Sequence, residues 1–279
     1  MFAKLFKYEA REMGWQMLVG MLVGILVVFT TGLLSLTGHS FLLATGTSIG
    51  AAIGVGVPGV LVISEVRHYY QTVYGQRGYF TNTLAVPGAT ILGAKSLWMF
   101  ITVLLNIVWG AAALSWVVLT QLSGVSGSGL SYGTKFVSVW QTISQVLEHA
   151  SAVMVIAIIL SGLLTAAQFV VWVMCLCTLA NRFSFAYLST PVALTTSAIL
   201  IYGVFQVIMV VFILAVPLTL SITGSGEDQR AQLLYGPVLS VESAGSGIFL
   251  PLGMLAIIPL LIVGYWFAHN ALTRHLSLR

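Results

Sequence analysis

Residues 13–64, MGWQMLVGMLVGILVVFTTGLLSLTGHSFLLATGTSIGAAIGVGVPGVLVIS, run for 52 positions without an Asp, Glu, Lys or Arg. A helix crossing the roughly 30 Å hydrocarbon core of a bilayer needs about 20 predominantly apolar residues, because each residue rises 1.5 Å. The stretch therefore holds two spans, with Ser35-Leu-Thr-Gly-His39-Ser40 as the polar turn between them. Working outward, further charge-free windows cover Ser96–Thr134, His149–Asn181, Phe183–Gly226 and Ser243–Thr273. Each reads as one span; the window from Phe183 is long enough for two, but its start carries Ser184, Ser189, Thr190, Thr195 and Thr196 and is too polar for a second. The expected fold is all-α: one transmembrane domain over 1–279 with six spans at roughly 15–36, 42–64, 96–121, 151–178, 194–222 and 248–268.

Composition excludes the main alternatives. Only 6% of the 279 residues are charged, against about 25% in a soluble domain, and 58% are hydrophobic. A water-soluble surface cannot be built from so few charges, and disorder is excluded by the apolar content. Mean hydropathy is +1.02. Two cysteines make no disulfide framework, and the N-terminus does not resemble a cleavable signal.

Lys and Arg set the orientation. Six spans put both termini on one side, together with Lys4, Lys7, Arg11, Arg67, Arg77, Lys95, Arg182, Arg274 and Arg279; the other side holds only Lys135 and Arg230. Both termini are therefore expected in the cytoplasm. The basic balance reflects this orientation and implies no nucleic-acid partner.

Residues 2–13 put Phe2, Leu5, Phe6 and Met13 on one helical side and Lys4, Lys7 and Arg11 elsewhere. The pattern suits an amphipathic helix lying in the inner headgroup layer, and equally a simple basic topogenic N-terminus. The cytoplasmic segment Glu65–Lys95 is long and sticky, carrying Tyr69, Tyr70, Val73, Tyr74, Tyr79, Phe80 and Leu84. It reads either as a loop packed on its own helix ends or as a docking surface for a soluble partner, the second being favoured by its length. Outside, Phe136, Trp140, Ile143 and Leu147 fall at helical spacing, and Gly224–Gly247 turns from polar to apolar as if folding back.

Motifs of self-sufficient chemistry fail on inspection. Gly88-Ala-Thr-Ile-Leu-Gly-Ala-Lys95-Ser96 approaches the phosphate-loop pattern, but Ala94 displaces the lysine by one position and the stretch leads into a span. Lys95 reads instead as the inner anchor of the third span. Cys175 and Cys177 project about 200° apart on a helix and cannot share a metal. The histidines have no metal-ligand pairing, no nucleophile triad is visible, and no acid falls inside a span, so a carboxylate proton relay is not expected. Asn106, Gln168, Tyr202 and Gln206 are the candidates for a substrate path, with interhelical hydrogen bonding the commoner role for such groups. Gly20 and Gly24, and Gly46, Gly50 and Gly54, form small-residue stripes at four-residue spacing that let helices approach closely, within the chain or between two copies. Pro58 and Pro217 fall inside spans and are positions for a kink.

Two stretches carry a resemblance: Lys4-Leu-Phe-Lys-Tyr-Glu-Ala-Arg11, and Gly78-Tyr-Phe-Thr-Asn-Thr-Leu-Ala-Val-Pro-Gly-Ala-Thr-Ile-Leu-Gly-Ala-Lys95. They resemble the permease subunits of bacterial ABC-2-type exporters, departing where Ala85 stands in place of the usual proline and Pro87 follows two residues later. The resemblance implies a plasma-membrane permease that exports a lipophilic or peptide-like substrate and pairs with a second permease, identical or homologous. It also implies a separate ATPase subunit that holds ATP and magnesium, so this chain would be no enzyme and bind no cofactor or metal. By the same resemblance Gln76, Arg77, Gly78, Tyr79, Phe80, Thr81, Asn82, Thr83 and Leu84 would form the coupling helix that docks on that ATPase. The alternative kept beside it is a secondary carrier or channel working alone.

Overall fold

The computed structural model describes residues 2–37, 39–75, 78, 87–126, 134, 137, 140, 141, 144, 152–181, 189–215, 218–223, 230–235, 248–251 and 257–274. The chain divides into two compact units, Met1–Val73 with Arg77–Ala166, and Tyr74–Gln76 with Ala167–Arg279.

Three long helices make the first unit: α1 (Phe2–Ser35), α2 (Ser40–Val73) and α3 (Gly88–Ser126), each packed on the other two. The 34 residues of α1 extend about 51 Å, well beyond the hydrocarbon thickness. Residues 2–13 are thus not a separate helix in the headgroup layer but the first turns of α1. Glu9 and Met13 are buried, so one face of these turns packs along the neighbouring helices, while Phe2 and Tyr8 stay exposed. The polar turn falls where expected: Leu36 and Thr37 close α1 with short-range bonds to Leu33 and Leu34 carbonyls, and the Leu43 amide donates to the His39 carbonyl to start α2. The Pro87 carbonyl accepts from the Thr90 and Ile91 amides at the head of α3, as suits a proline preceding a helix.

The helices interlock through glycines on α1 opposite tryptophans on α3. A Cβ added at Gly24 would lie 2.6 Å from Trp109, and one at Gly32 would lie 2.1 Å from Trp116 Nε1. Gly14 faces Trp98 in the same way, at 3.7 Å. Because 14, 24 and 32 rise together with 98, 109 and 116, α1 and α3 run parallel. Between α1 and α2 the order reverses: Gly46 sits on Thr31 and Ser35, Gly20 on Leu61, and Glu9 on His68. The result is an up-down-up bundle. A Cβ at Gly46 would stand 2.7 Å from the Thr31 carbonyl oxygen, so backbone meets backbone there. The small-residue stripes are therefore used inside the chain, around a core of Val28, Trp109, Ala113 and Val117.

The second unit contains the end of α4 (Ala152–Ala180), then α5 (Thr190–Ala215), the strands β1 (Leu218–Thr223), β2 (Arg230–Tyr235) and β3 (Ile248–Pro251), and α6 (Ile257–Arg274). Central β1 pairs antiparallel with both neighbours, Leu218 opposite Tyr235 and Thr219 opposite Pro251. Among the described residues the chain is mainly helical, and the all-α expectation needs amending for this sheet. The fifth expected span, 194–222, ends as helix at Ala215, and the sixth, 248–268, begins as strand and becomes helix only at Ile257. A charge-free window does not separate apolar strand from apolar helix, and Leu218-Thr-Leu-Ser-Ile-Thr223 alternates with a period of two. Part of the 224–247 loop pairs with β1 as the strand β2. Among the described residues, five helices, α1 to α5, are long and apolar enough to cross a membrane; the apolar part of α6, Ile257–Ala271, is shorter. Composition and these helices define a multi-pass membrane protein.

Candidate functional site

At the end of the first unit where α1 begins, α2 ends and α3 begins, the helices extend past the apolar stretches and carry ionisable side chains. Glu9 of α1 is the hub. One of its oxygens receives the Lys95 ammonium of α3, and the other lies 3.0 Å from His68 Nε2 of α2. The ammonium also donates to Thr72 Oγ1 at 2.9 Å. Glu9 and Lys95 are 8% and 5% exposed, which makes this a buried ion pair. Burial acts to raise the Glu9 carboxyl, but the His68 hydrogen bond and the Lys95 ammonium outweigh it and hold the group below its ordinary value.

Glu65, two turns before the end of α2, has the opposite environment. It is 4% exposed, and among the described residues its carboxyl meets the Thr102 hydroxyl but makes no hydrogen bond of full geometry. Burial pushes its carboxyl up to about 8. With Glu9, Met13, Tyr69, Lys95 and Trp98 it lines a cavity of about 10 Å³, room for one water molecule at most.

This cluster was not foreseen from the sequence, where Lys95 reads as a lone anchor and Glu65 falls one residue beyond the second span. The signal present is the spacing of Glu65, His68 and Thr72, which keeps one helical face polar after the apolar run stops. Of the residues expected to dock on a partner, Gly78 is helical and buried; Gln76, Arg77, Tyr79, Phe80, Thr81, Asn82, Thr83 and Leu84 lie outside the described residues. The segment they belong to is bracketed by Thr72 and Lys95, which are bonded to each other.

The four substrate-path candidates are not brought together. Asn106 is buried in the first unit with neither amide atom partnered. Gln168 of α4 lines a cavity of about 360 Å³ in the second unit, walled by apolar side chains such as Trp172, Val204, Phe205 and Leu261. Tyr202 and Gln206 lie exposed on α5. The helix hydroxyls serve their own backbone: Thr102, Thr120, Thr165, Thr178 and Ser197 each donate to a carbonyl three or four residues back. Cys175 donates to the Gly264 carbonyl at 3.4 Å, joining α4 to α6.

No protein-family model, curated protein or solved structure matches the chain.

Proposed function

We propose that this chain is the permease subunit of an ATP-binding-cassette exporter of the bacterial plasma membrane, with six spans and both termini in the cytoplasm. A separate ATPase subunit would bind ATP and magnesium and do the hydrolysis, and a second permease, identical or homologous, would complete the transmembrane pair. The stretch Gly78–Lys95 carries the reading through its likeness to the coupling segment of such permeases. The bonded bracket around that segment supports it. Lys95 and Thr72 clamp the helix that enters the segment to the helix that leaves it, and Glu9 ties α1 to both. A push on residues 76–84 is then delivered to three helices as one body, which is what a chain driven from outside needs. The apolar cavity with a single amide, Gln168, supports a lipophilic or peptide-like cargo.

The test replaces Tyr79, Phe80 and Leu84 with aspartate in the tagged chain. An ATPase subunit co-purifies with the parent and is lost from the variant while the chain still inserts. Retention of the ATPase by the variant counts against the docking assignment. A stand-alone carrier is the second reading, favoured by the buried carboxylates at the helix ends; transport by the pure chain in ATP-free liposomes would select it.

A further inference from the structure

Among the described residues, the Glu65 cavity has a charge imbalance. The groups facing it are Glu9 from α1, His68 and Tyr69 from α2, and Lys95, Trp98 and Thr102 from α3. The Lys95 ammonium is committed to Glu9 and Thr72, and His68 Nε2 also faces Glu9. With both carboxylates ionised and the imidazole neutral, two negative charges meet one positive charge at a largely buried site. One more proton makes the cluster neutral.

Hydrogen bonding and burial together say where that proton sits. The Thr102 hydroxyl beside Glu65 already donates to the Met99 carbonyl at 2.9 Å. A hydroxyl that has given away its only proton can still accept one. It can therefore accept from a carboxylic acid, while the same hydroxyl rotated towards Glu65 would donate to a carboxylate; burial favours the acid over the carboxylate. An unpaired buried charge is expensive while the neutral acid is not.

We propose that this cavity is a one-proton binding site: Glu65 is a carboxylic acid at neutral pH, donates to Thr102, and releases its proton to water only when the ends of α1, α2 and α3 separate. Proton loss without separation leaves a buried carboxylate near Glu9 and is disfavoured below about pH 8, so at neutral pH release is coupled to opening. The site stands whether or not the chain docks an ATPase. If it does, engagement of the segment after α2 is linked to proton release.

The linkage has a definite sign. A carboxyl whose folded value lies above its unfolded value stabilises the fold most at low pH, and that contribution is lost as pH rises from about 4.5 through about 8. The experiment measures the thermal midpoint of the full chain in lipid nanodiscs from pH 5 to 9, for wild type, Glu65→Gln and His68→Gln. Infrared spectra of each variant are taken at pH 7. The expected result is a wild-type midpoint that falls over this range, a flat profile for Glu65→Gln, and a retained fall for His68→Gln. A carboxylic-acid carbonyl band present in wild type should vanish only in Glu65→Gln. Absence of a Glu65-dependent band, or a slope abolished by His68→Gln instead, overturns the proposal.

Discussion

Removing the Lys95 ammonium tests whether the three helix ends are held by charge or only by apolar packing. Lys95→Met keeps the aliphatic length and deletes the charge. Glu9 is then left 8% exposed with only His68 beside it, and Thr72 loses its donor. Breaking a buried pair from one side typically costs about 3–5 kcal/mol, because the remaining charge stays desolvated. The same pair at a surface would be worth about 0–1 kcal/mol. Replacing both partners, Glu9→Leu with Lys95→Met, removes the stranded charge and is expected to restore most of the loss. The assay is a double-mutant cycle on unfolding of the purified chain in mixed detergent micelles. A single-variant cost below about 1 kcal/mol, or a double variant no better than either single one, would refute a buried Glu9–Lys95 hub.

Gly46→Ala is expected to destabilise by about 1–3 kcal/mol, because its methyl would stand 2.7 Å from the Thr31 carbonyl oxygen and 2.6 Å from Ser35 Oγ. Gly56→Ala, with nothing within 4 Å of the added methyl, should be neutral or gain up to about 1 kcal/mol from helix propensity, read by the same unfolding assay. Asn106→Leu removes a buried amide with no partner and should leave stability unchanged or raise it by about 1–3 kcal/mol. If transport nevertheless falls in that variant, Asn106 serves the substrate path.

The long helices were legible because apolar stretches leave a coarse signature: long runs without charge, broken at Ser35–Ser40 and over Glu65–Lys95. Their true lengths were not. The apolar criterion stops at Trp15, Ser64 and Ser96, whereas the helices run on through Glu9, Thr72 and Lys95. Those residues cancel one another only in three dimensions. Glu9 and Lys95 are 86 positions apart, and no local pattern announces their pairing. The glycine stripes were visible as stripes, but their partners, Trp109 and Trp116 for α1 and the α1 backbone for Gly46, required the packed bundle. The sheet after α5 was missed for a different reason. Leu218–Thr223 and Ile248–Pro251 lie in charge-free windows, and the period-two alternation of Leu218–Thr223 was passed over in favour of the absence of charge.

Thiol labelling of the segment after α2 tests most directly the claim that this chain is driven from the cytoplasm through that segment. The probe is Thr81→Cys in a chain freed of its own thiols by Cys175→Ser and Cys177→Ala, reacted with a membrane-impermeant maleimide. The expected result is labelling in inside-out vesicles, none in intact cells, and protection when the co-purifying ATPase subunit is bound. Labelling from outside intact cells, or unchanged labelling with the ATPase present, would contradict it.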